Sequence, residues 1–150
     1  MSNDLAALEE WAAAPLRRLQ PQQRRRLTRE IAYDLRRRQR ERIKGQQNPD
    51  GTPYAPRKPQ MRRQQGAIRR KGMFTKLRTA KYLKARGGTD VATVGFSGRA
   101  AAIARIHHYG LRAKVDRDGP QYNYPRRALL GFAGERDDIA DIILRHVTHG

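Results

Sequence analysis

Residues 91–110 read VATVGFSGRAAAIARIHHYG, and within this stretch the pattern changes from that of a strand to that of a helix. Residues 91–96 alternate and are rich in β-branched side chains, as in a half-buried strand, and Ser97-Gly98 ends that pattern. From Arg99 the apolar positions fall at helical spacing, and Gly110 is well placed to cap the helix. The stretch therefore predicts a strand that turns sharply into a short, Ala-rich helix, and it is the best core material in the chain.

Two apolar segments near the end of the chain extend this predicted core. Residues 124–132 form an apolar segment opened by Tyr-Pro, which we expect to dock on a core, and residues 139–147 carry the buried stripe of a last helix. The side chains expected in the core are Val94, Phe96, Ile103, Ile106, Leu129, Ile139, Ile142 and Ile143.

The composition describes a chain of 150 residues that is poor in apolar side chains and strongly basic. Hydrophobic residues make up 37% of it, the mean hydropathy is -0.92 and the net charge is +19. Such a charge repels itself and favours an anionic partner or a larger assembly. The absence of cysteine excludes disulfides and thiolate metal sites. No apolar run approaches the ~20 residues of a membrane span and the first residues are acidic, so we expect a soluble, non-secreted protein with no membrane partner.

The basic charge is concentrated in the middle of the chain. Residues 1–16 hold three acids and no base, residues 17–88 hold 24 bases and four acids, and residues 89–150 hold nine bases and seven acids. The basic side chains are expected either to form a solvated surface or to contact nucleic acid or an acidic protein. The candidate contacts with anionic surfaces are Arg36, Arg37, Arg38, Arg40, Arg57, Lys58, Arg62, Arg63, Arg69, Arg70 and Lys71.

Two amphipathic helical patterns open the chain. The first contains Pro15, which is expected to break or kink the helix near Ala14. The second spans residues 21–44, because proline suits the first turn of a helix and Gly45 suits its end. Both patterns predict long helices with one apolar face.

The order of patterns predicts one α+β domain over residues 1–150. Residues 1–44 are expected to form the N-terminal helices, and residues 45–72, with their prolines and turn residues, an extended basic loop or arm. Residues 73–150 are expected to form an α/β core. In this fold the N-terminal helices and a C-terminal helix pack on a small, mainly antiparallel sheet.

No group of residues in the sequence is typical of an enzyme or a metal site. The adjacent His107 and His108 point about 100° apart on a helix, so they do not easily share one metal, and His146 and His149 lie near a helix end. The acids of the last helix suit its N-terminus rather than acid–base catalysis. We therefore expect no catalytic residues, no metal and no cofactor.

Five segments follow an Arg-rich amphipathic helix in an order that is known from one protein family. They are DGTPYAPRK at 50–58, MFTKLR at 73–78, VGFSGR at 94–99, IARIHHYGLR at 103–112 and YPRRALLGF at 124–132. In these segments the chain resembles the phage virion morphogenesis family, the tail completion proteins of temperate contractile-tailed phages and Mu-like prophages. The resemblance covers nearly the whole chain, and the family has no catalytic residues to transfer to it.

The resemblance implies a structural role late in tail assembly, at the head-proximal end or neck, where the tail becomes competent to join a DNA-filled head. Related neck proteins form closed rings around the DNA channel. The implied partners are therefore further copies of the chain, in a ring of six or alternatively twelve, and other neck, tail tube, tail sheath or connector proteins. Non-specific contact with DNA in the lumen is a further implied interaction. The implied location is the virion tail or neck, with assembly in the host cytoplasm.

The alternative function is that of a basic protein that binds nucleic acid non-specifically. The basic middle of the chain favours it, because neutralising phosphates supplies most non-specific affinity. Only Tyr54, Phe74 and Tyr82 are interleaved with the basic residues, which disfavours a stacking platform for single strands, and no base-reading motif is present. A nucleic-acid-binding protein would lose affinity steeply with salt, whereas a ring component would oligomerise or bind tail ends.

Overall fold

The computed structural model describes residues 2–57, 72–115 and 117–149. In chain order, the elements in these residues are the helices α1 (Ser2–Arg17) and α2 (Pro21–Lys44), the strands β1 (Leu83–Gly87) and β2 (Ala92–Phe96), helix α3 (Arg99–Tyr109), the strands β3 (Arg112–Lys114) and β4 (Gln121–Asn123), and helix α4 (Arg136–His149). Strands β1 and β2 form one two-stranded sheet, and β3 and β4 form an antiparallel second one. The predicted α+β class is confirmed, with two small sheets in place of one.

The helix boundaries follow the sequence signals closely. Helix α2 begins at Pro21, as predicted. Helix α3 ends at Gly110, whose left-handed backbone (φ 66°) lets its N–H donate to the carbonyl of Ile106. Helix α1 is not broken near Ala14, because it continues through Pro15 to its last residue. Pro15 has no N–H to donate to the carbonyl of Trp11, so the helix continues there with one backbone hydrogen bond missing.

The described residues pack as two compact units. Unit 1 comprises Met1–Arg38, Lys84–Val94 and Phe132–Gly150, and unit 2 comprises Gln39–Leu83 and Gly95–Gly131. The apolar side chains accordingly form two clusters, whereas the sequence predicted a single core.

Unit 1 has a helical core made by α1, α2 and α4. Its buried members are Ala12, Leu19, Leu27, Ile139, Ile142 and Ile143, and its half-buried members are Leu8, Leu16, Ile31, Leu35 and Val147. The isoleucines of α4 recur at helical spacing and so share one face. Burying a side chain of this size contributes roughly 1.5–3 kcal/mol. The stripe predicted on the last helix therefore packs against the N-terminal helices.

Unit 2 has a mixed core to which loops contribute as much as helices. Its buried members are Ile43, Tyr54, Met73, Ala104 and Leu129, and Phe74, Leu77 and Phe96 pack against them half-buried. Tyr54 and Phe74 meet edge to face with their ring centroids 5.7 Å apart, a geometry that aromatic pairs prefer. Much of this core comes from segments without regular secondary structure, so hydrophobic periodicity does not reveal it.

The side chains predicted for the core divide into three groups by exposure. Buried are Leu129, Ile139, Ile142 and Ile143, and half-buried are Val94, Phe96 and Ile106. Ile103 is 49% exposed, so its placement in the core is wrong. Helix α3 packs through Ala100 and Ala104, each 4% exposed, and Ile103 lies beside that face. The small alanine side chains let the helix backbone approach the core closely, and the larger side chain of Ile103 remains partly in solvent.

Gly87, at the end of β1, lies directly against the backbone of α2 within unit 1. A Cβ atom added to Gly87 would lie 2.4 Å from the backbone nitrogen of Arg29 and 2.5 Å from its Cα. Beside this contact, the hydroxyl of Thr28 donates to the carbonyl of Gly88. Arg24 Nη1 also lies 2.9 Å from Asp90 Oδ1. The close approach of Gly87 and these two polar contacts therefore hold the hairpin formed by β1 and β2 on α2.

We expect Gly87→Ala to lower the free energy of unfolding by about 1–3 kcal/mol, because the added methyl group must displace either the hairpin or the α2 backbone. The measurement is the urea midpoint at unchanged m-value. Gly95→Ala is the matched control, since a Cβ at Gly95 meets nothing within 4 Å, and we expect it to stay within about 0.5 kcal/mol of the parent. Equal losses in both variants would contradict the close contact.

Candidate assembly surface

Ion pairs within unit 1 engage part of the basic surface predicted on α2. Arg38 donates from Nε to Asp34 Oδ2 at 2.8 Å, and its Nη1 lies 3.0 Å from Asp138 Oδ2 on α4. Arg37 donates to the other carboxylate oxygen of Asp34. Burial opposes ionisation of this carboxyl, but the hydrogen bonds from Arg38 and Arg37 outweigh it and hold the pKa of Asp34 below its ordinary value. Arg38 therefore links α2 to α4 and is not a free cation.

Three further predicted contact residues lie in the described part of the chain. The guanidinium of Arg36 lies 5.7 Å from the centroid of the Tyr33 ring. Arg40 Nε is 3.8 Å from a carboxylate oxygen of Glu41, which is a weak exposed pair. Arg57 donates to the carbonyl of Gly72 at 3.3 Å. The other candidates, Lys58, Arg62, Arg63, Arg69, Arg70 and Lys71, lie outside the described residues.

We expect Arg38→Met to cost about 1 kcal/mol of unfolding free energy, because it removes the link between Asp34 on α2 and Asp138 on α4. Arg37→Met is the matched control. Its side chain is 60% exposed, against 33% for Arg38, so its loss should cost less than about 0.5 kcal/mol. Urea unfolding of both variants at low salt measures the difference. A larger loss for Arg37→Met would contradict the assigned roles.

The first part of the predicted arm is fastened to unit 2. Asn48 Oδ1 accepts a hydrogen bond from the backbone N–H of Ala128 at 2.9 Å. The hydroxyl of Tyr54 donates to the carbonyl of the same residue at 2.9 Å. Burial raises the pKa of Tyr54 to about 12, so this hydroxyl keeps its proton at neutral pH. Residues 45–57 therefore do not extend away from the unit, and the remainder of the arm, 58–71, lies outside the described residues.

A buried guanidinium completes this anchor. Arg127 is only 6% exposed, and it donates from Nε to the carbonyl of Ala55 at 2.8 Å and from Nη2 to the carbonyl of Pro56 at 3.0 Å. Burial lowers the pKa of Arg127. Two backbone carbonyls thus take the place that a carboxylate would normally fill, and they fix the path of the chain just before residue 58.

Two neutral histidines on α3 support the same region of unit 2. His108 Nδ1 accepts a hydrogen bond from the backbone N–H of Leu129 at 3.1 Å, which requires the proton of the neutral ring to be on Nε2. The His107 ring packs edge to face between Phe74, at 4.9 Å between centroids, and Tyr124, at 5.0 Å. Burial lowers the pKa of both rings. Their role is structural, since protonation would remove the acceptor of His108 and charge a ring between two aromatics.

Because the folded pKa of His108 lies below the unfolded value of about 6.5, the unfolded state binds more protons. Its contribution to stability is therefore complete above pH 6.5 and is lost as the pH falls toward the folded pKa. We expect the urea midpoint to fall between about pH 7.5 and 5, and to fall less in His108→Asn, whose amide oxygen can accept without titrating. Equal pH dependence in the two proteins would contradict this role.

The outer side of α3 carries an apolar pocket within unit 2. Its volume is about 220 Å³, and it is lined by Phe96, Ala101, Ala104, Arg105, His108, Tyr109 and Leu130. We call it the α3 pocket. Tyr109, at its edge, is 60% exposed. Apolar side chains left in water around a concave surface are typical of an interaction site.

A second exposed apolar surface lies on α1. Ala7, Glu10, Trp11 and Ala14 occupy helical positions i, i+3, i+4 and i+7 and are all exposed, and we call this stripe the α1 face. Trp11 is the largest of them and is 44% exposed. Tryptophan is enriched at protein–protein interfaces, so its position on an outer helix face indicates a contact surface.

The described residues contain neither a candidate metal site nor a candidate membrane span. Among the described residues, no three histidines, cysteines or acids come close enough to hold a metal ion. In the same residues, no helix has the length and apolar character needed to cross a membrane.

Comparison with known proteins assigns the chain to a family. The model of the phage virion morphogenesis family matches residues 3–148. The chain belongs to this family. One relative, called tail completion protein S, from Escherichia phage P2, is 40% identical over 148 residues, which cover 97% of this chain and 98% of that protein. No solved structure matches the chain. The family named from the sequence motifs is thereby confirmed.

Four of the motif segments on which the family resemblance rests meet in unit 2. Tyr54 comes from the first of them, Phe74 from the second, His107 from the fourth and Arg127 from the last. The contacts described above connect them in sequence: Tyr54 with Phe74, Phe74 with His107, and Arg127 with the segment after Tyr54. Sequence reasoning did not identify Asn48 or Arg127, because a polar loop residue and one arginine among many carry no periodic signal.

Proposed function

We propose that this virion morphogenesis protein completes the phage tail at its head-proximal end and makes the tail competent to join a DNA-filled head. The observation that carries the proposal is the end-to-end match with a relative named tail completion protein S, 97% of one chain against 98% of the other. The proposed location is the virion tail or neck, after assembly in the host cytoplasm.

We further propose that it acts as a closed ring of copies, six or alternatively twelve, together with other tail or neck proteins. Two physical features support this. The apolar clusters of the two units are small, and large apolar side chains such as Trp11 and Tyr109 are exposed. Contacts between copies would cover that surface and add stability that a single chain lacks.

Cations of α2 that take no part in the pairs with α4 are proposed to meet an acidic protein surface or the DNA in the lumen. Arg36 and Arg40 fit this role, because Arg38 on the same helix is engaged with Asp34 and Asp138. Either contact would be non-specific in sequence, because charge alone supplies it.

The test is to delete the gene in the phage that encodes the chain and to add purified protein back to the lysate. We expect filled heads and separate tails without the protein, and joined infectious particles after its addition. Arg36→Glu/Arg40→Glu should restore at least tenfold fewer particles than the parent, and Lys114→Glu, an exposed charge reversal on β3, should restore as many. Normally joined particles in the deletion, or a block in filling the heads, would contradict the proposal.

The alternative of plain nucleic-acid binding has its own signature. Light scattering of nuclease-treated protein at about 0.15 and 1 M salt, where the Debye length falls from ~8 to ~3 Å, separates the two. A multimer at both salts supports a ring component. A monomer that binds added DNA only at low salt favours the alternative.

A further inference from the structure

The α1 face and the α3 pocket, both defined above, have opposite charge and matching chemistry. Helix α1 carries three acids and no base before Arg17, and helix α3 carries Arg99 and Arg105 and no acid. No described residue forms an ion pair with Glu10 or Arg105. Each surface therefore presents an apolar patch beside a charge that a partner of opposite sign would complete.

We propose that the α1 face of one copy docks on the α3 pocket of the next copy, with Trp11 at the pocket and Glu10 facing Arg105. The proposal rests on the proposed function only in expecting a ring. It identifies the partner of both surfaces as a second copy of this chain and assigns the residues of the contact.

Charge selects this pairing among those that two copies could make. Each copy has a net charge of +19, so most approaches of two copies are repulsive. Contact of α3 with α3 would bring Arg105 toward its own counterpart, and contact of α1 with α1 would do the same for Glu10. Pairing α1 with α3 is the arrangement in which acids meet bases.

The apolar chemistry agrees with the charge. The pocket is lined by Phe96, Ala101 and Leu130 as well as by charged and polar groups, and Tyr109 at its edge is 60% exposed. An aromatic anchor inserted into such a pocket is the usual centre of an interface. The phosphates of nucleic acid would meet Arg105 but would leave the apolar lining of the pocket uncovered.

The pairing is head to tail, and this has a structural consequence. A contact between two different surfaces leaves one copy with a free pocket and the other with a free α1 face, so further copies add at both ends, and a ring forms when the rotation between copies closes. A face-to-face pairing would stop at a dimer.

Charge reversal on each side tests the contact in solution. We expect Glu10→Arg and Arg105→Glu each to weaken self-association at least tenfold by light scattering. Mixing the two variants should recover multimers in which they alternate, because Glu10 of the Arg105→Glu chain meets Arg105 of the Glu10→Arg chain, and the two substituted positions carry opposite charges at the other contact. The double variant in one chain should recover multimers. Lys114→Glu, an exposed charge reversal on β3, is the matched control and should assemble like the parent. Assembly unaffected by both charge reversals would overturn the proposal.

Cysteine cross-linking tests the geometry directly, since the chain has no native cysteine. Under oxidation, Glu10→Cys/Arg105→Cys should give a ladder of linked multimers, both in the purified protein and on isolated tails, and neither single variant should give a linked dimer. A linked dimer from one single variant indicates face-to-face contact and overturns the proposal. No ladder on tails that still join heads also overturns it, while leaving the proposed function intact.

Discussion

Positive charge is the constraint that governs how the helices of this protein pack. Helix α2 carries nine arginines, and carboxylates of α2 and α4 pair with cations where the two helices meet. Asp34 and Asp138 both pair with Arg38. Glu30 on α2 pairs with Arg145 of α4 at 3.2 Å and also contacts His146 of α4. The apolar stripe of α4 supplies the burial, and these pairs decide where along α2 the helix lies. Exposed pairs contribute little energy individually, so their main effect is on position.

In unit 2 a buried arginine is satisfied by backbone carbonyls in place of a carboxylate. Arg127 is buried against backbone carbonyls, and the two histidines of α3 are kept neutral by burial. The result is a chain path in which residues 45–57 lie against residues 126–131. The family motifs supply several of the residues that make this path. This agrees with membership of a virion morphogenesis family.

The surfaces left over after these internal pairings are the ones that an assembly protein can use. Arg36 and Arg40 remain outside the pairs that hold α2 and α4 together, and Trp11 and Tyr109 remain outside the two apolar clusters. Charged and aromatic groups serve different purposes in such a protein. The cations act at long range on any anionic surface, whereas the aromatic side chains need a shaped partner. A protein with both can be attracted to a tail end and then fixed there.

The sequence by itself determined the α+β class, the start of α2, the end of α3 at Gly110 and the family, because caps, prolines and periodicity are local signals. The sequence placed Ile103 in the core incorrectly. Hydrophobic periodicity shows which side chains share a helix face, but it does not show which face another segment will cover. Only the tertiary structure decided that the core is divided in two and that Arg38 joins α2 to α4 while Arg36 takes no part in that link. Those outcomes depend on contacts between residues far apart in the chain, such as Arg38 with Asp138 and Arg127 with Ala55, and such contacts leave no trace in the local pattern.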